Sequence, residues 1–133
     1  MNMEITFPGG SRVDASFGPY AVQTDQPSPD GSTASAPTPF ATFLASIGTC
    51  AGIYVLEFLR KRGLPTENVK LVQHVQANPV SGMIDQIHLE VHLPSSVPDR
   101  YHKAIVRAAE LCAVKKHFEF PPQISVATKT VAA

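Results

Sequence analysis

TPFATFLASIGTCAGIYVLEFLRKRG, residues 38–63, is the longest apolar stretch of this chain. Pro39 suits the first turn of a helix, and Gly63 followed by Leu64 and Pro65 is a usual helix exit. Apolar residues recur between them at three- and four-residue steps, which is the period of a helix. These residues are Phe40, Phe43, Leu44, Ile47, Cys50, Ala51, Tyr54, Val55 and Phe58. The remaining faces hold mainly small residues, so the sequence predicts a long central helix that is packed against on every side.

A membrane span is the alternative for this stretch. About twenty mostly apolar residues precede Arg60, Lys61 and Arg62, an arrangement that resembles a stop-transfer flank. However, Glu57 lies inside the stretch, and small or hydroxyl residues stand where a span would hold leucine or isoleucine. The flanking segments also alternate like amphipathic strands, which need a surface to pack on. We therefore expect a buried helix and no membrane association.

Composition limits the classes of function. A chain of 133 residues predicts one domain over residues 1–133. Its formal net charge is zero, with eleven basic and eleven acidic residues, which argues against nucleic acid or an anionic membrane as a partner. The first ten residues, MNMEITFPGG, do not read as a signal peptide, so we expect a cytoplasmic protein. In that compartment we expect the two cysteines to be reduced or redox-active thiols rather than a structural disulfide.

The rest of the chain predicts an α+β fold with antiparallel sheets. The expected strands are residues 4–7, 12–15 and 20–24 in a meander, a hairpin of residues 69–78 and 83–93, and a closing strand at 124–131. A second helix is expected from Pro98 to Cys112, with a further helical turn over residues 113–118. Residues 25–37, DQPSPDGSTASAP, form either a mobile connector or a flap over a site.

Three histidines on the predicted hairpin raise the question of a metal site. His88 and His92 would come together on a helix, but four residues along a strand they are about 13 Å apart on the polar face. His74 lies on the polar face of the neighbouring strand. We interpret all three as solvated surface residues rather than as metal ligands.

Any catalytic activity of this chain must therefore come from the thiols of Cys50 and Cys112. A free cysteine is commonly a small buried hydrophobe. The alternative is a redox pair, because both cysteines fall on inward faces of the two substantial predicted helices. Lys115, Lys116 and a possible new helix start follow Cys112, and positive charge and a helix dipole both favour a thiolate there.

The chain resembles the OsmC/Ohr family of osmotically induced and organic-hydroperoxide-resistance proteins. The resemblance is carried by P-x-x-x-x-L-x-x-x-x-x-C at Pro39, Leu44 and Cys50, and by A-E-x-C-x-V around Cys112. It implies an intertwined α+β homodimer, in which antiparallel sheets wrap around long central helices. It also implies a thiol peroxidase for small organic hydroperoxides, with Cys50 as the peroxidatic thiol and Cys112 as the resolving thiol. A dithiol, such as a lipoylated protein, would reduce the resulting disulfide.

Three positions depart from the family pattern. Catalytic members have a glutamate after the proline that starts the central helix, where this chain has Phe40, and a proline after the second cysteine, where it has Ala113. Members also hold the thiolate with an arginine from the N-terminal strands, so Arg12 is either that partner or a surface strand residue. Phe40 favours an alternative function, a non-catalytic module that binds a small apolar ligand in a dimer crevice walled by Phe40, Phe43 and Tyr54.

Overall fold

The computed structural model describes residues 1–132 and divides into two compact units, Met1–Ser46 and the residues from Ile47 onward. Its described elements are five strands and three α-helices, arranged as an α+β protein with antiparallel sheets. In chain order they are β1 (Glu4–Gly9), β2 (Arg12–Phe17), β3 (Tyr20–Thr24), α1 (Pro39–Lys61), β4 (Lys70–Ala77), β5 (Ile84–His92), α2 (His102–Glu110) and α3 (Ala113–Glu119).

The first unit contains the predicted meander. β1, β2 and β3 pair in that order and antiparallel, with Ala15 opposite both Ile5 and Val22. The turn between β2 and β3 contains Gly18 at φ +53°, a left-handed conformation that residues with a Cβ rarely adopt. β1 and β2 each extend two residues beyond the predicted ends, because the ladder continues up to the turns.

Asp25 closes the loop of residues 25–37 at its base. Its carboxylate accepts the backbone N–H of Gln26 at 2.8 Å, and both the backbone N–H and the hydroxyl of Ser35 at 2.8 Å. Its own N–H donates to the Pro37 carbonyl oxygen at 3.1 Å. The Ser35 and Gln26 donors hold the pKa of the Asp25 carboxyl below its usual value. The loop is therefore pinned at both ends, and a flap function remains a prediction.

Helix α1 has the boundaries that its sequence predicts. At its start, the Thr38 hydroxyl accepts a first-turn backbone N–H at 3.1 Å, which satisfies one of the otherwise unpaired donors. At its end, Gly63 adopts φ +61° and the Leu64 N–H donates back to the Leu59 carbonyl oxygen at 2.9 Å. This is the glycine-terminated ending of many helices.

The burial of α1 differs from the expectation. Four of its 23 residues are buried, and they form one stripe at four-residue steps: Ile47, Ala51, Val55 and Leu59. Phe40 and Phe43, predicted to lie in the packed face, are 54% and 41% exposed. A single chain therefore covers α1 along only one stripe, and cover on its remaining faces stays a prediction.

Helix α1 is long and apolar enough to cross a membrane by length and composition, with a mean hydropathy of 1.6 over its most apolar window. It is the one such helix among the described residues. Core helices of soluble proteins pass the same test, and Val55 and Leu59 pack against Val97 and Ile105 in a cluster typical of a protein interior.

Strands β4 and β5 form the predicted hairpin. His74 pairs with His88, and Val75 with Ile87, in antiparallel register. The turn is fixed by the side-chain oxygen of Asn78, which accepts hydrogen bonds from the backbone N–H groups of Val80 at 2.8 Å and Ser81 at 3.0 Å. On the inner side of the hairpin, α1 approaches closely at Gly48, where an added Cβ would lie 2.6 Å from Gln73 Oε1.

Helix α2 is shorter than predicted. A single 3₁₀ turn, Asp99–Tyr101, precedes it, and the helix ends at Glu110. Ile105 on its inner face is fully buried, as its predicted apolar stripe requires. Cys112 is 1% exposed, but it lies beyond α2, at the residue that caps α3. The expected burial of Cys112 is confirmed, and its expected position in α2 is wrong.

The strand predicted over residues 124–131 is not formed. Residues 121–132 have no regular secondary structure, and every one of them is exposed. A strand needs a neighbour to accept and donate its backbone hydrogen bonds. The described chain provides none for this segment.

Candidate functional site: the Cys50 and Cys112 thiols

The two cysteines are brought together by α1 and the start of α3. Cys50 lies near the middle of α1 and is half-buried, whereas Cys112 is the capping residue of α3 and is buried. Cys112 Sγ lies 3.9 Å from the carbonyl oxygen of Ile47, which is three residues before Cys50 on α1. The Cys112 thiol donates a weak hydrogen bond to that oxygen, and the Cys50 and Cys112 side chains are close enough to shift each other's pKa. Both thiols are free, so the pair is described in its reduced state.

The surroundings of Cys50 favour a thiolate. Burial on its own would raise the pKa of the Cys50 thiol. The backbone N–H of Val114, the thiol of Cys112 and the backbone N–H of Ala113 outweigh that effect and hold the pKa of Cys50 below its usual value. These donors come from the first turn of α3, where N–H groups have no acceptor inside the helix. A lowered pKa increases the nucleophilic fraction of the thiol at neutral pH.

Cys112 has the opposite electrostatic character. Burial raises its pKa, and the hydrogen bond and charge of the neighbouring Cys50 sulfur raise it further. The backbone N–H groups of Lys115 and Val114 lower it, but not enough to reverse the shift. The helix start thus lowers the pKa of Cys112 as expected, but burial outweighs it, so the net thiolate character expected of Cys112 is not found. The Val114 amide of the same turn also lowers the pKa of Cys50.

This arrangement defines two chemical roles. An accessible sulfur with a lowered pKa is a nucleophile, whereas a buried neutral thiol next to it is a proton donor and a partner for disulfide formation. The geometry therefore suits a reaction in which Cys50 attacks first and Cys112 follows.

Arg12 lies in β2, in the first unit of the chain. Its Nη2 is 2.7 Å from Asp14 Oδ2, and both side chains are partly buried. Arg12 Nε and Asp14 Oδ1 are themselves buried, and no residue from 1 to 132 hydrogen-bonds to either atom. Arg12 is thus engaged in an ion pair within its own sheet, and its role as the thiolate partner remains a prediction.

The three aromatic residues of the predicted crevice are placed as follows. The rings of Phe40 and Phe43 contact each other with centroids 5.7 Å apart, and Tyr54 is half-buried further along α1. A separate apolar cleft of about 200 Å³ lies in the second unit, lined in part by Leu56 and Val69. None of the three aromatic residues lines that cleft, so the crevice also remains a prediction.

The histidines occupy the positions expected of surface residues. His74 and His88 are exposed and stack across the hairpin with ring centroids 6.2 Å apart, and His92 contacts Glu90. Among residues 1–132 no group of three histidine, cysteine or acidic side chains is arranged to hold a metal ion.

The sequence reasoning did not identify the backbone groups of the site. Ala113 and Val114 act through their N–H groups and Ile47 through its carbonyl oxygen, so their side-chain types carry no signal. The one available signal was the helix start after Cys112. It would have indicated donors for any sulfur placed beside that turn.

Comparison with known proteins agrees with this architecture. A family model described as OsmC-like protein matches residues 30–127. No curated protein matches the chain. A solved structure described as a putative osmotic stress induced and detoxification response protein, from Psychrobacter arcticus 273-4, has a TM-score of 0.71 at 16% identity, with 87% of this chain and 86% of that chain covered.

Two further solved structures have the same fold. An OsmC-like protein from Mycoplasma pneumoniae has a TM-score of 0.65 at 14% identity, covering 89% of this chain and 86% of that one. The organic hydroperoxide resistance protein OhrB of Bacillus subtilis has a TM-score of 0.54 at 16% identity, covering 91% and 93%. At these identities the structures establish the fold alone, whereas the family model covers most of the sequence. The fold class predicted from the sequence is confirmed, and the chain belongs to the OsmC-like protein family.

Proposed function

We propose that this chain is a cysteine-based thiol peroxidase that reduces small organic hydroperoxides in defence against oxidative stress. One geometric observation carries the proposal: the only two cysteines among the described residues lie together, with Cys50 beside the backbone N–H groups of Ala113 and Val114 and Cys112 buried next to it. The pKa of the Cys50 thiol, which lies below its usual value, agrees with that geometry. The hydroperoxide resistance named for the OhrB relative supports the same substrate class.

The reaction proceeds in three balanced steps. The Cys50 thiolate attacks the terminal oxygen of the hydroperoxide; the O–O bond breaks, the alcohol leaves after protonation, and Cys50 becomes a sulfenic acid. The Cys112 thiol then attacks the Cys50 sulfur, which forms a disulfide and releases water. A dithiol reductant, such as a lipoylated protein, finally reduces the disulfide and is itself oxidised. No metal or bound cofactor takes part in these steps.

The proposed active form is an intertwined homodimer. Helix α1 is apolar around most of its circumference, but only 22% of its most apolar window is buried within one chain. Water contact along such a helix is unfavourable, and a second copy would remove it. Since thiol cycling of this kind needs a reducing compartment, we infer that the dimer works in the cytoplasm.

Single-turnover experiments test the proposal. Reduced wild-type protein mixed with cumene hydroperoxide should consume one peroxide per chain and lose two hydrogens by intact-mass analysis as the disulfide forms. Cys112→Ser should stop at a Cys50 sulfenic acid that dimedone traps, and Cys50→Ser should consume no peroxide. The proposal is wrong if wild type consumes no peroxide in the presence of a dithiol, or if dimedone labels no Cys50.

Binding without catalysis is the second candidate. It is favoured by Phe40 and Phe43, which form an exposed aromatic pair at the start of α1. A binding module needs no activated thiol, so its Cys50 would react with iodoacetamide as an ordinary thiol with a pKa of about 8.5. A midpoint clearly below that value would favour the peroxidase.

A further inference from the structure

A basic and aromatic surface lies where the end of α1 meets the start of α2. The rings of Phe58 and Tyr101 contact each other edge to face, with centroids 6.4 Å apart. Arg62 Cζ lies 3.7 Å from the centroid of the Phe58 ring, and Arg100 Cζ lies 4.9 Å from that of Tyr101. These four residues form the arginine–aromatic surface, in which each exposed guanidinium group lies over one of two half-buried rings.

The positive charge of this surface is not compensated within the chain. A guanidinium group has five N–H donors. Arg62 donates to the Phe58 carbonyl oxygen at 3.4 Å. Arg100 donates to the Tyr101 hydroxyl at 3.4 Å. Among the described residues no carboxylate forms an ion pair with either arginine, and Asp99, next to Arg100 in the chain, contacts a histidine instead. Most of the donors are therefore available to a partner.

Helix ends explain only part of this charge. A helix C-terminus carries a partial negative charge, which accounts for Arg60 and Lys61 in the last turn of α1. Arg100 lies instead in the 3₁₀ turn before α2, and the start of a helix favours anions rather than cations. The second unit, from Ile47 onward, has ten basic and seven acidic residues, a net charge of +3 in a chain whose net charge is zero. This unit therefore attracts a negatively charged partner.

The arginine–aromatic surface and the thiols lie at different levels of the same pair of helices in the second unit. Cys50 neighbours Cys112, which follows α2, and Phe58 contacts Tyr101, which precedes α2. Helices α1 and α2 therefore run antiparallel. Eight positions along α1 separate Cys50 from Phe58, which corresponds to about 12 Å. A protein that sits on this surface can thus bring a flexible dithiol arm to a disulfide between the two cysteines.

We propose that the arginine–aromatic surface docks the protein that carries the reducing dithiol, through acidic side chains of that protein. The inference rests on the proposed peroxidase cycle and assigns the surface that its last step uses. In that step one thiolate of the partner attacks the Cys50 sulfur, because Cys112 is only 1% exposed; a mixed disulfide forms, and the Cys112 sulfur leaves and takes up a proton. The second thiol of the partner then displaces Cys50, so two electrons and two protons pass from the dithiol to the two cysteines.

Charge-matched dithiol probes test the inference on wild-type protein that diamide has oxidised to the disulfide. The first probe is a synthetic peptide with a dihydrolipoyl-lysine between two runs of glutamate. The second has lysine in place of every glutamate, and the third is free dihydrolipoamide. At low ionic strength, intact-mass analysis should show at least about tenfold faster recovery of the thiols with the glutamate peptide than with the lysine peptide, because opposite charges steer association. Salt at about 0.5 M should remove most of that difference, since it screens exposed charges.

Charge reversal locates the docking surface. Arg62→Glu combined with Arg100→Glu should remove the preference for the glutamate peptide and leave reduction by free dihydrolipoamide unchanged. Arg62→Lys combined with Arg100→Lys keeps the charge and should retain most of the preference. Lys70→Glu is the matched control and should also retain it. Lys70 is exposed on β4, on the opposite face from Val69 and Leu71, which pack against the core.

The outcomes separate the inference from the proposed function. Equal reduction of the wild-type protein by both peptides would overturn the docking surface. The same conclusion would follow if the double charge reversal folds by circular dichroism and still prefers the glutamate peptide, or if Lys70→Glu removes the preference equally. Because diamide forms the disulfide without peroxide, these results do not depend on peroxide consumption, which tests the peroxidase separately.

Discussion

Replacing Ala113 by proline removes one hydrogen-bond donor from the sulfur of Cys50. The backbone conformation at this position should tolerate the Ala113→Pro substitution. Ala113 is the first residue of α3, where proline is tolerated, and Cys112 before it has φ −49° and ψ 127°, the extended conformation that precedes proline. Within α3, the first backbone N–H group that donates to a helical carbonyl oxygen is that of Lys116, which donates to the Cys112 carbonyl oxygen at 3.1 Å. Removing the Ala113 N–H group therefore removes no hydrogen bond of the helix.

The expected effect follows from the strength of the lost interaction. A hydrogen bond to a charged group contributes roughly 1.5–3 kcal/mol, and the lower end applies because Val114 and Cys112 also lower the pKa of Cys50. A loss of about 1.4 kcal/mol raises the pKa of Cys50 and lowers its thiolate fraction about tenfold at any pH well below that pKa. Alkylation by iodoacetamide, quantified at Cys50 by mass spectrometry, should therefore slow about threefold at low pH, because the remaining thiolate is intrinsically more nucleophilic, and its pH midpoint should rise.

A matched variant separates the donor from the side chain. Ala113→Ser keeps the N–H and should leave the alkylation profile unchanged, while circular dichroism verifies that both variants fold. The reasoning is refuted if Ala113→Pro folds and alkylates like wild type, or if Ala113→Ser slows alkylation equally.

Three further predictions concern packing and titration. Leu59→Ala should lower the free energy of unfolding by about 2–5 kcal/mol in urea titrations, since Leu59 is 1% exposed, whereas a loss below about 1 kcal/mol would contradict its place in the core. Gly48→Ala should change the free energy of unfolding little, because the gain of about 1 kcal/mol in helix propensity offsets displacement of the flexible end of Gln73; in the background Gln73→Ala it should stabilise by about 1 kcal/mol, and equal effects in both backgrounds would rule out this contact. In Cys112→Ser, stability should rise with pH towards the ordinary thiol range and be lost as pH falls through the lowered pKa of Cys50. In Cys50→Ser, stability should instead fall as pH rises through the ordinary thiol range, because burial raises the pKa of Cys112. Thermal unfolding of the two variants from about pH 6 to 10 measures both trends. Stability that changes with pH in the same direction in both variants would contradict the opposite pKa shifts of Cys50 and Cys112.

The elements were predictable from the sequence where local pattern and punctuation coincide. Helix α1 has a capping Thr38, an early Pro39 and a terminal Gly63, and its boundaries were confirmed. The hairpin of β4 and β5 alternates with period two around a turn fixed by Asn78, and it was confirmed as well. These signals act within a few residues, so a single sequence contains them.

The errors concern what lies beside an element rather than the element itself. The period of α1 indicated apolar faces that need more cover than one chain supplies, but not that the covered stripe is the one that contains Val55 and Leu59. The strand pattern of residues 124–131 indicated a strand, but not that its neighbour is missing from the same chain. The period of a sequence shows which face of a helix or strand is apolar, but not which residues pack against that face.

At the site, the sequence predicted the two cysteines but not which of them has the lowered pKa. The helix start after Cys112 suggested a lowered pKa at Cys112, and amides of that turn do lower it. Burial outweighs them at Cys112, whereas at Cys50 the N–H groups of Ala113 and Val114 contribute to a net lowering. Burial and contacts between distant segments are the two quantities that a single sequence does not give.

The loop that Asp25 closes has a practical consequence for work on this protein. Because Ser35 and Pro37 pin its two ends, the residues between them can change in number without altering the distance that the neighbouring elements must span. Lengthening such a loop adds only a small, logarithmic entropy penalty. An epitope tag inserted beside Gly31 should therefore be displayed without unfolding the host, giving an internal handle that leaves both termini untouched.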